Sequence, residues 1–501
     1  MLGWPPSRGN AVSTLIVSAL AVFMAALDNL VVITALPAIQ KSLGTDLQEL
    51  EWTVNAYTLS FAVFLMGGSA AGDRFGRRRM FLIGLTVFTA ASAGCALAGS
   101  PGELIAARAV QGFGAAIVMP LTLTLLTEAV SERRRGIALG VWGALSGLAV
   151  ALGPLIGGAV VEKISWEWIF WVNVPIGAAV LLLGVWQLAE SKQAGARLDI
   201  VGTVLVSLGM LGVVFALVST TNDGWTSGKV LGSLIAGLVL LVAFVLWELR
   251  ARTPMLPMRL FANRAFSAVN VTSMLMFAAM FGLVFLLTQF MQNIQGFSPL
   301  EAGVRMLAWT AMPVVIAPLA SFLTAWIGNR LVVALGLLAE AVALGWLASV
   351  TEVHTEYTDQ VPGLVLGGIG LGLFFAPTAE MAMNVVKPRE QGIASGANNT
   401  FRELGGVLGV AVLTSIFTSY GGYGTPQQFV DGLVPATWAG AGFAALGVLA
   451  MLTAPRRSKQ SRTVETARGS SAREADASAS AEAGGSPERE KSGAGSAARR
   501  R

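Results

Sequence analysis

The sequence predicts an all-α integral membrane protein of fourteen spans with both termini on the cytoplasmic side. Three observations carry this. Of 501 residues, 54% are hydrophobic and 13% charged, and the mean hydropathy is +0.66. That balance lies outside soluble domains. Apolar runs of about 20 residues, each long enough for a ~30 Å hydrocarbon core, recur along nearly the whole chain. The loops between those runs alternate in charge.

In order, the runs are 12–38, 50–71, 80–99, 103–128, 136–160, 168–189, 199–219, 229–249, 265–290, 301–325, 331–350, 361–386, 392–419 and 434–454. Length sets each run, and Gly, Pro and charged residues punctuate its ends. The first lacks the short apolar region and small-residue cleavage site of a signal peptide, so it is expected to be a retained helix. One set of loops holds Arg74, Arg77, Arg78 and Arg79, then Arg133–Arg135, Lys192 and Arg197. It continues with Arg250, Arg252, Arg259, Arg264, Arg330, Lys387, Arg389, Arg456, Arg457 and Lys459. The other set offers Lys41, Lys163 and Lys229 among acids such as Asp46, Glu49, Glu51, Glu352, Glu356 and Asp359. Bases mark the inside, so the first set is expected to be cytoplasmic and the span count even. Residues 456–501 are rich in Ser, Ala, Gly, Glu and Arg without apolar periodicity. They are expected to form a disordered cytoplasmic tail.

One cysteine (Cys95) and one histidine (His354) exclude a disulfide framework and any Cys/His metal cluster. Cys95 lies in an apolar helix and reads as packing; His354, in TEVHTEY, reads as a solvated loop residue. The basic balance does not call for nucleic acid, because the bases cluster in short loops between spans. No phosphate-binding GxxxxGK[ST] loop, GxSxG elbow or metal set is present, so neither ATP-driven transport nor an enzyme is expected.

Charges inside the spans are costly, at a few kcal/mol or more near the bilayer centre, and usually have a task or a partner. Asp28 stands alone in VFMAALDNLVVITALP. It lies about 15 Å below the outer end of its span at 1.5 Å per residue, and Arg108 of the fourth span about 9 Å below its own. An Arg side chain covers that difference, so pairing is possible. Low dielectric and a nearby guanidinium pull a carboxyl's proton affinity in opposite directions, which suits an acid that loads and unloads a proton. A static ion pair fixing helix register is the other reading. Glu340, Glu380, Arg402 and Glu403 are the further intramembrane charges. Glu340 lies mid-span and Glu380 follows Pro377 nearer the cytoplasm; each faces a cavity or is a hydrogen-bonded acid in helix packing. The ninth run, MLMFAAMFGLVFLLTQFMQ, carries Phe277, Met280 and Phe281. It reads as lipid-facing packing or as a soft cavity wall.

Several longer motifs follow one order. SAAGDRFGRRRMFL (69–82) resembles the loop signature GxLxDRxGRRxxL of the major facilitator superfamily, with Ser69 at the leading Gly position. RAVQGFG, from Arg108, matches its RxxQGxG proton-transfer motif. Gly153, Pro154, Gly157 and Gly158 match the antiporter motif GPxxGG, whose physics is a kink with close helix approach. LDNLVVITALP (27–37) is similar to the first-helix motif LDxTVVNVALP of the 14-helix drug:proton antiporters, departing at Leu30 and Thr34. SWEWIFWVNVPIG (165–177) is similar to their SWRWIFxINVPIG, with Glu167 for Arg. LDIVGTVL (198–205), PMLPMRLFANRAF (254–266), QNIQGFSPLEAG (292–303) and GIASGANNTFRELGGVLGVAVL (392–413) follow the same family. In the last of these, Glu403 replaces the usual Gln.

The resemblance, to QacA/EmrB-like multidrug efflux transporters, covers nearly all the membrane region. It implies a major facilitator fold: a cytoplasmic N-terminus (1–11), a six-helix bundle (12–190), two extra central helices (191–253), a second six-helix bundle (254–455) and the tail (456–501). It implies proton coupling at Asp28 and Arg108, and a cytoplasmic gate at Asp73, Arg74, Gly76 and Arg77. It also implies a central cavity, for which Glu340, Glu380, Arg402, Phe277, Met280 and Phe281 are the candidates. The function implied is proton-coupled export of amphipathic, often cationic, drugs or antibiotics across the bacterial inner membrane by alternating access. The protein would act as a monomer in the bilayer, with no cofactor beyond the coupling proton. An exporter dedicated to one natural product or lipid is the alternative, followed by a non-transporting sensor.

Overall fold

The structure is a computed structural model that describes residues 11–192, 199–252, 254–384, 386 and 391–455. The expected N-terminal segment up to residue 10, Arg197, Lys387, Arg389 and the tail from 456 lie outside the described residues, as do the side chains of Arg133–Arg135. All regular structure among the described residues is helical. The first half contains α1 (Ala11–Leu43), α2 (Leu47–Phe75), α3 (Arg77–Ala96), α4 (Pro101–Ala129), α5 (Glu132–Lys163), α6 (Trp168–Trp171) and α7 (Asn173–Gln187). Next come α8 (Ile200–Asp223) and α9 (Gly228–Arg250). The second half contains α10 (Arg264–Gln289), α11 (Pro299–Thr310), α12 (Met312–Ile327), α13 (Asn329–Val350), α14 (Tyr357–Asn384), α15 (Gln391–Tyr420) and α16 (Pro426–Leu452).

Twelve helical segments are long and apolar enough to cross a membrane, counting α6–α7 and α11–α12 as one each. The helix α2, bent by 49° between Leu65 and Gly67, makes thirteen. The fourteenth expected span is α5, whose side chains lie partly outside the described residues. The run at 301–325 is thus a broken helix. Ala311 separates α11 from α12 just ahead of Pro313, whose missing N–H cannot continue the ladder. On the acidic face, α2, α4, α11 and α16 each start at a Ser, Thr or Asp whose side chain accepts a backbone N–H. At Asp46 and Ser298 the third helical residue, a Glu, completes a capping box.

In the first half α1 packs on α5, and α4 on both α2 and α3. In the second, α10 packs on α15 and α13 on α14 and α16. The halves meet where α5 crosses α11 and α2 crosses α15; α8 and α9 pair with each other, and α8 lies against α2 and α15. The most apolar window of α10 is 83% buried, that of α9 only 17%. So α9 lies at the periphery, while the Met- and Phe-rich α10 is interior and not a lipid-facing surface.

The halves repeat one packing pattern. A methyl on Gly112 would strike the backbone of Tyr57, and one on Gly368 that of Trp309. Gly114 lies against Gly84 and Phe88, as Gly370 lies against Gly336 and Glu340. Glycine lets each pair of helices approach to backbone contact. The repeat sets Trp309 at the place of Tyr57 and Glu340 at that of Phe88. Leu364, four residues before Gly368, takes the place of Arg108.

Candidate functional site

Asp28 comes from the middle of α1 and is 2% exposed. Its carboxylate accepts three hydrogen bonds. Arg108 Nη1 donates to Oδ2 at 2.5 Å, and Gln111 Nε2 and Asn173 Nδ2 each donate to Oδ1 at 2.8 Å. Arg108, fully buried in α4, also donates from Nε to the Thr53 carbonyl at 3.2 Å and from Nη1 to Gln111 Oε1 at 2.8 Å. Its guanidinium stands 4.2 Å from the centre of the Tyr57 ring. Ser92 Oγ receives Gln111 and Asn173 at 3.2 and 3.0 Å and donates to the Phe170 carbonyl at 3.1 Å. Such a network supplies what burying an ion pair asks for: close approach, and further hydrogen bonds to both partners. Arg108 and Gln111 share a face of α4 because they are three residues apart.

A crevice lined by Asp28, Asn173, Val31, Ile156 and Val160, with room for about one water, reaches this carboxylate. It borders the GPxxGG stretch of α5. There an added methyl on Gly153 would lie 2.8 Å from Leu30 Cβ, and one on Gly157 3.0 Å from the Val31 carbonyl. On the far side of α5, Gly158 abuts the Pro299 backbone and Gly303 that of Pro154. The motif therefore locks α5 between α1, which carries Asp28, and α11 of the other half.

On the basic face, Asp73 Oδ1 accepts Arg77 Nε at 2.8 Å, and Arg77 also pairs with Glu128. Gly76 turns the chain at φ +112°, where a side chain is strained and would strike Glu190. That Glu190 accepts the N–H groups of Arg78 and Arg79, both at 3.2 Å, at the start of α3, as a carboxylate at a helix N-terminus should. Arg74 is exposed and lies over the Phe75 ring at 5.3 Å, away from the Asp73 pair.

The cavity candidates separate. Arg402 of α15 stands 4.4 Å from the Phe277 ring centre and 4.7 Å from that of Phe375. Phe277 stacks on Phe281 at 5.8 Å. Met280 is buried in the same helix. Glu340 is fully buried, beside Gly367 and Trp309, and its two carboxyl oxygens have no hydrogen-bond partner among the described residues. Glu380 is exposed toward the basic end of α14. No group of three His, Cys, Asp or Glu side chains suited to a metal occurs among the described residues.

Asn173, Ser92, Glu128 and Glu190 are site residues that sequence reasoning did not single out. Asn173 was within reach: it is the one amide in the quoted SWEWIFWVNVPIG stretch.

The model of the Major Facilitator Superfamily matches residues 18–410 and 269–487. The multidrug resistance protein Stp of Mycobacterium tuberculosis is 35% identical over 409 residues, covering 81% of this chain and 76% of that protein. The tetracenomycin C resistance and export protein of Streptomyces glaucescens is 34% identical, covering 85% of this chain and 80% of its own. Among solved structures, the human organic anion transporter MFSD10 superposes with a TM-score of 0.59 at 16% identity, over 89% of this chain and 100% of that one. At that identity the likeness speaks for the fold alone.

Proposed function

The chain belongs to the major facilitator superfamily, and on that premise we propose that it is a proton-coupled antiporter exporting amphipathic drugs or antibiotics across the bacterial plasma membrane. The family and these relatives are transporters, not enzymes, and the relatives' names support drug efflux. In this reading the basic face is cytoplasmic, both termini lie there, and the spans number fourteen with α8 and α9 as an extra pair between six-helix halves. A single chain suffices, and the proton is the coupling ion.

The observation that carries the reading is the Asp28 network. As a carboxylate, Asp28 of α1 holds Arg108 and Gln111 of α4 and Asn173 of α7 together. Protonation removes the charge that Arg108 faces. Arg108 still keeps the Thr53 carbonyl, Gln111 Oε1 and the Tyr57 ring, so it is not stranded when the proton arrives. What changes is the grip of α1 on α4 and α7. Because α5 is wedged between α1 and α11, loosening α1 bears on the α5–α11 contact between the halves. Protonation can shift the equilibrium between inward and outward states only by its differential energy in the two, and this wedge is where that difference would arise. The relative named for tetracenomycin C favours a second reading, a pump dedicated to one natural product.

The test is a drug-susceptibility panel in a pump-deleted bacterium expressing the chain, with and without an uncoupler. Resistance that collapses on uncoupling is the expected result. Resistance that persists at full strength on uncoupling refutes proton coupling, and none against any compound refutes export.

A further inference from the structure

Arg108 and Arg402 each hold a guanidinium over aromatic rings, the first fully buried and the second half-buried, and of these two only Arg108 is neutralised. Arg108 has the Asp28 carboxylate at 2.5 Å. Arg402 has no carboxylate within ion-pair distance among the described residues. Its Nη1 donates to Asn399 Oδ1 at 3.3 Å, and its Nε is buried without an acceptor. Glu403 follows it in sequence but lies about 100° round the helix. It forms no ion pair with Arg402, and its own Oε2 has no donor.

The frame around Arg402 is rigid. Gly405 and Gly409 bring α15 into backbone contact with α10 at Met274 and Ala278. One turn before Arg402, Asn398 donates to Ser273 Oγ at 2.9 Å. Phe277 and Phe375 meet edge to face at 5.7 Å, both under the guanidinium. An aromatic wall carrying a cation with no carboxylate at ion-pair distance among the described residues suits a ligand that brings the anion.

We infer that Arg402, with Phe277 and Phe375, recognises exported compounds that combine a planar aromatic ring with an acidic oxygen, a carboxylate or phenolate. The acid meets the guanidinium edge while the ring lies against the half-buried Phe375, which Phe277 backs edge to face. The inference rests on the export reading above and departs from the expectation of cationic cargo. A cation entering here would meet Arg402 directly, and like charges in low dielectric repel strongly.

The experiment uses everted vesicles of a pump-deleted bacterium and two planar dyes of opposite charge, fluorescein and ethidium. Wild type should move fluorescein on energisation. Arg402→Gln should lose fluorescein transport by about tenfold or more, the worth of one charge-assisted hydrogen bond. Arg402→Lys should retain part of it, and Phe277→Ala should weaken it less than Arg402→Gln does. Ethidium transport by Arg402→Gln should fall far less than fluorescein transport does. That ethidium arm also reports whether the variant is folded. Polarisation of fluorescein bound to the purified wild-type and Arg402→Gln proteins repeats the comparison without transport. Wild type that moves ethidium but not fluorescein, or a variant that loses both dyes alike, overturns the inference and leaves export standing. Wild type that moves neither dye and gives no drug resistance overturns both.

Discussion

Asp28 and Glu340 are both carboxylic acids in the middle of membrane helices, and both are shut off from solvent, yet their surroundings are opposite. Asp28 is held by three donors from two other helices. Glu340 lies in the second half without a partner for either oxygen among the described residues, beside a Trp309 indole N–H that is also unpaired. The repeat between the halves explains the contrast. Tyr57 with Arg108 in the first half corresponds to Trp309 with Leu364 in the second. One half has kept its acid with a cation; the other has an acid where the first has Phe88. Burial alone therefore does not mark a coupling site. A buried acid whose partners come from several helices can report its charge to those helices, and an acid without partners has nothing to release.

The largest expected effect breaks the first member of the pair. Asp28→Asn removes the charge and keeps the shape, so energised drug export should fall to the level of empty vesicles while membrane abundance stays intact. Proton-driven transport at the wild-type rate would end the assignment.

Next comes Arg108→Leu, which gives the first half what Leu364 is in the second. An uncompensated buried carboxylate costs about 3–5 kcal/mol. Adding Asp28→Asn should recover most of that loss in thermal unfolding of the purified protein. A double-mutant cycle that is additive to within about 0.5 kcal/mol would show that the two side chains do not interact.

The first half of this comparison was legible in the sequence, because an ionised side chain in an apolar run stands out and helix rise gives its depth. Arg108 and Asp28 were matched that way, and the structure brings them to 2.5 Å. Asn173 and Ser92 were not matched. A neutral amide or hydroxyl costs little in a helix and gives no sign of which neighbour it will meet. The partners of the basic-face motif, Glu128 and Glu190, look like any acid at a helix end until the fold brings them to Arg77 and Gly76. Likewise Glu340 was visible as a charge, but its lack of partners depends on Gly367 and Trp309, which only helix packing brings near. The interruptions inside single expected spans, at Val172 and Ala311, fall just ahead of Pro175 and Pro313, whose missing N–H run length does not record.

Glu340→Leu acts on the other member of the pair. Replacing an unpaired buried polar group by an apolar one of similar size should raise stability by about 1–3 kcal/mol. Thermal unfolding in detergent measures it. A loss of stability would mean that Glu340 has a partner and that the two acids are alike after all.

The smallest expected effect is that of Glu340→Gln. The amide has nearly the shape of the acid and no charge, and it sits where no described donor or acceptor holds either oxygen. Stability should therefore change by less than about 1 kcal/mol, within the range of a single hydrogen bond. Transport is the sharper readout. A carboxylate that faced the transport path would attract cationic cargo and ignore neutral cargo, so its removal would slow a monovalent cationic dye selectively. Glu340 instead fills the contact between α13 and α14 at Gly367 and Gly370, so a cationic dye and a neutral drug should both move at wild-type rates. Selective loss of the cation would place Glu340 at the cargo and give the second half a working acid of its own. Equal, unchanged rates leave the first half as the one whose buried acid does chemistry.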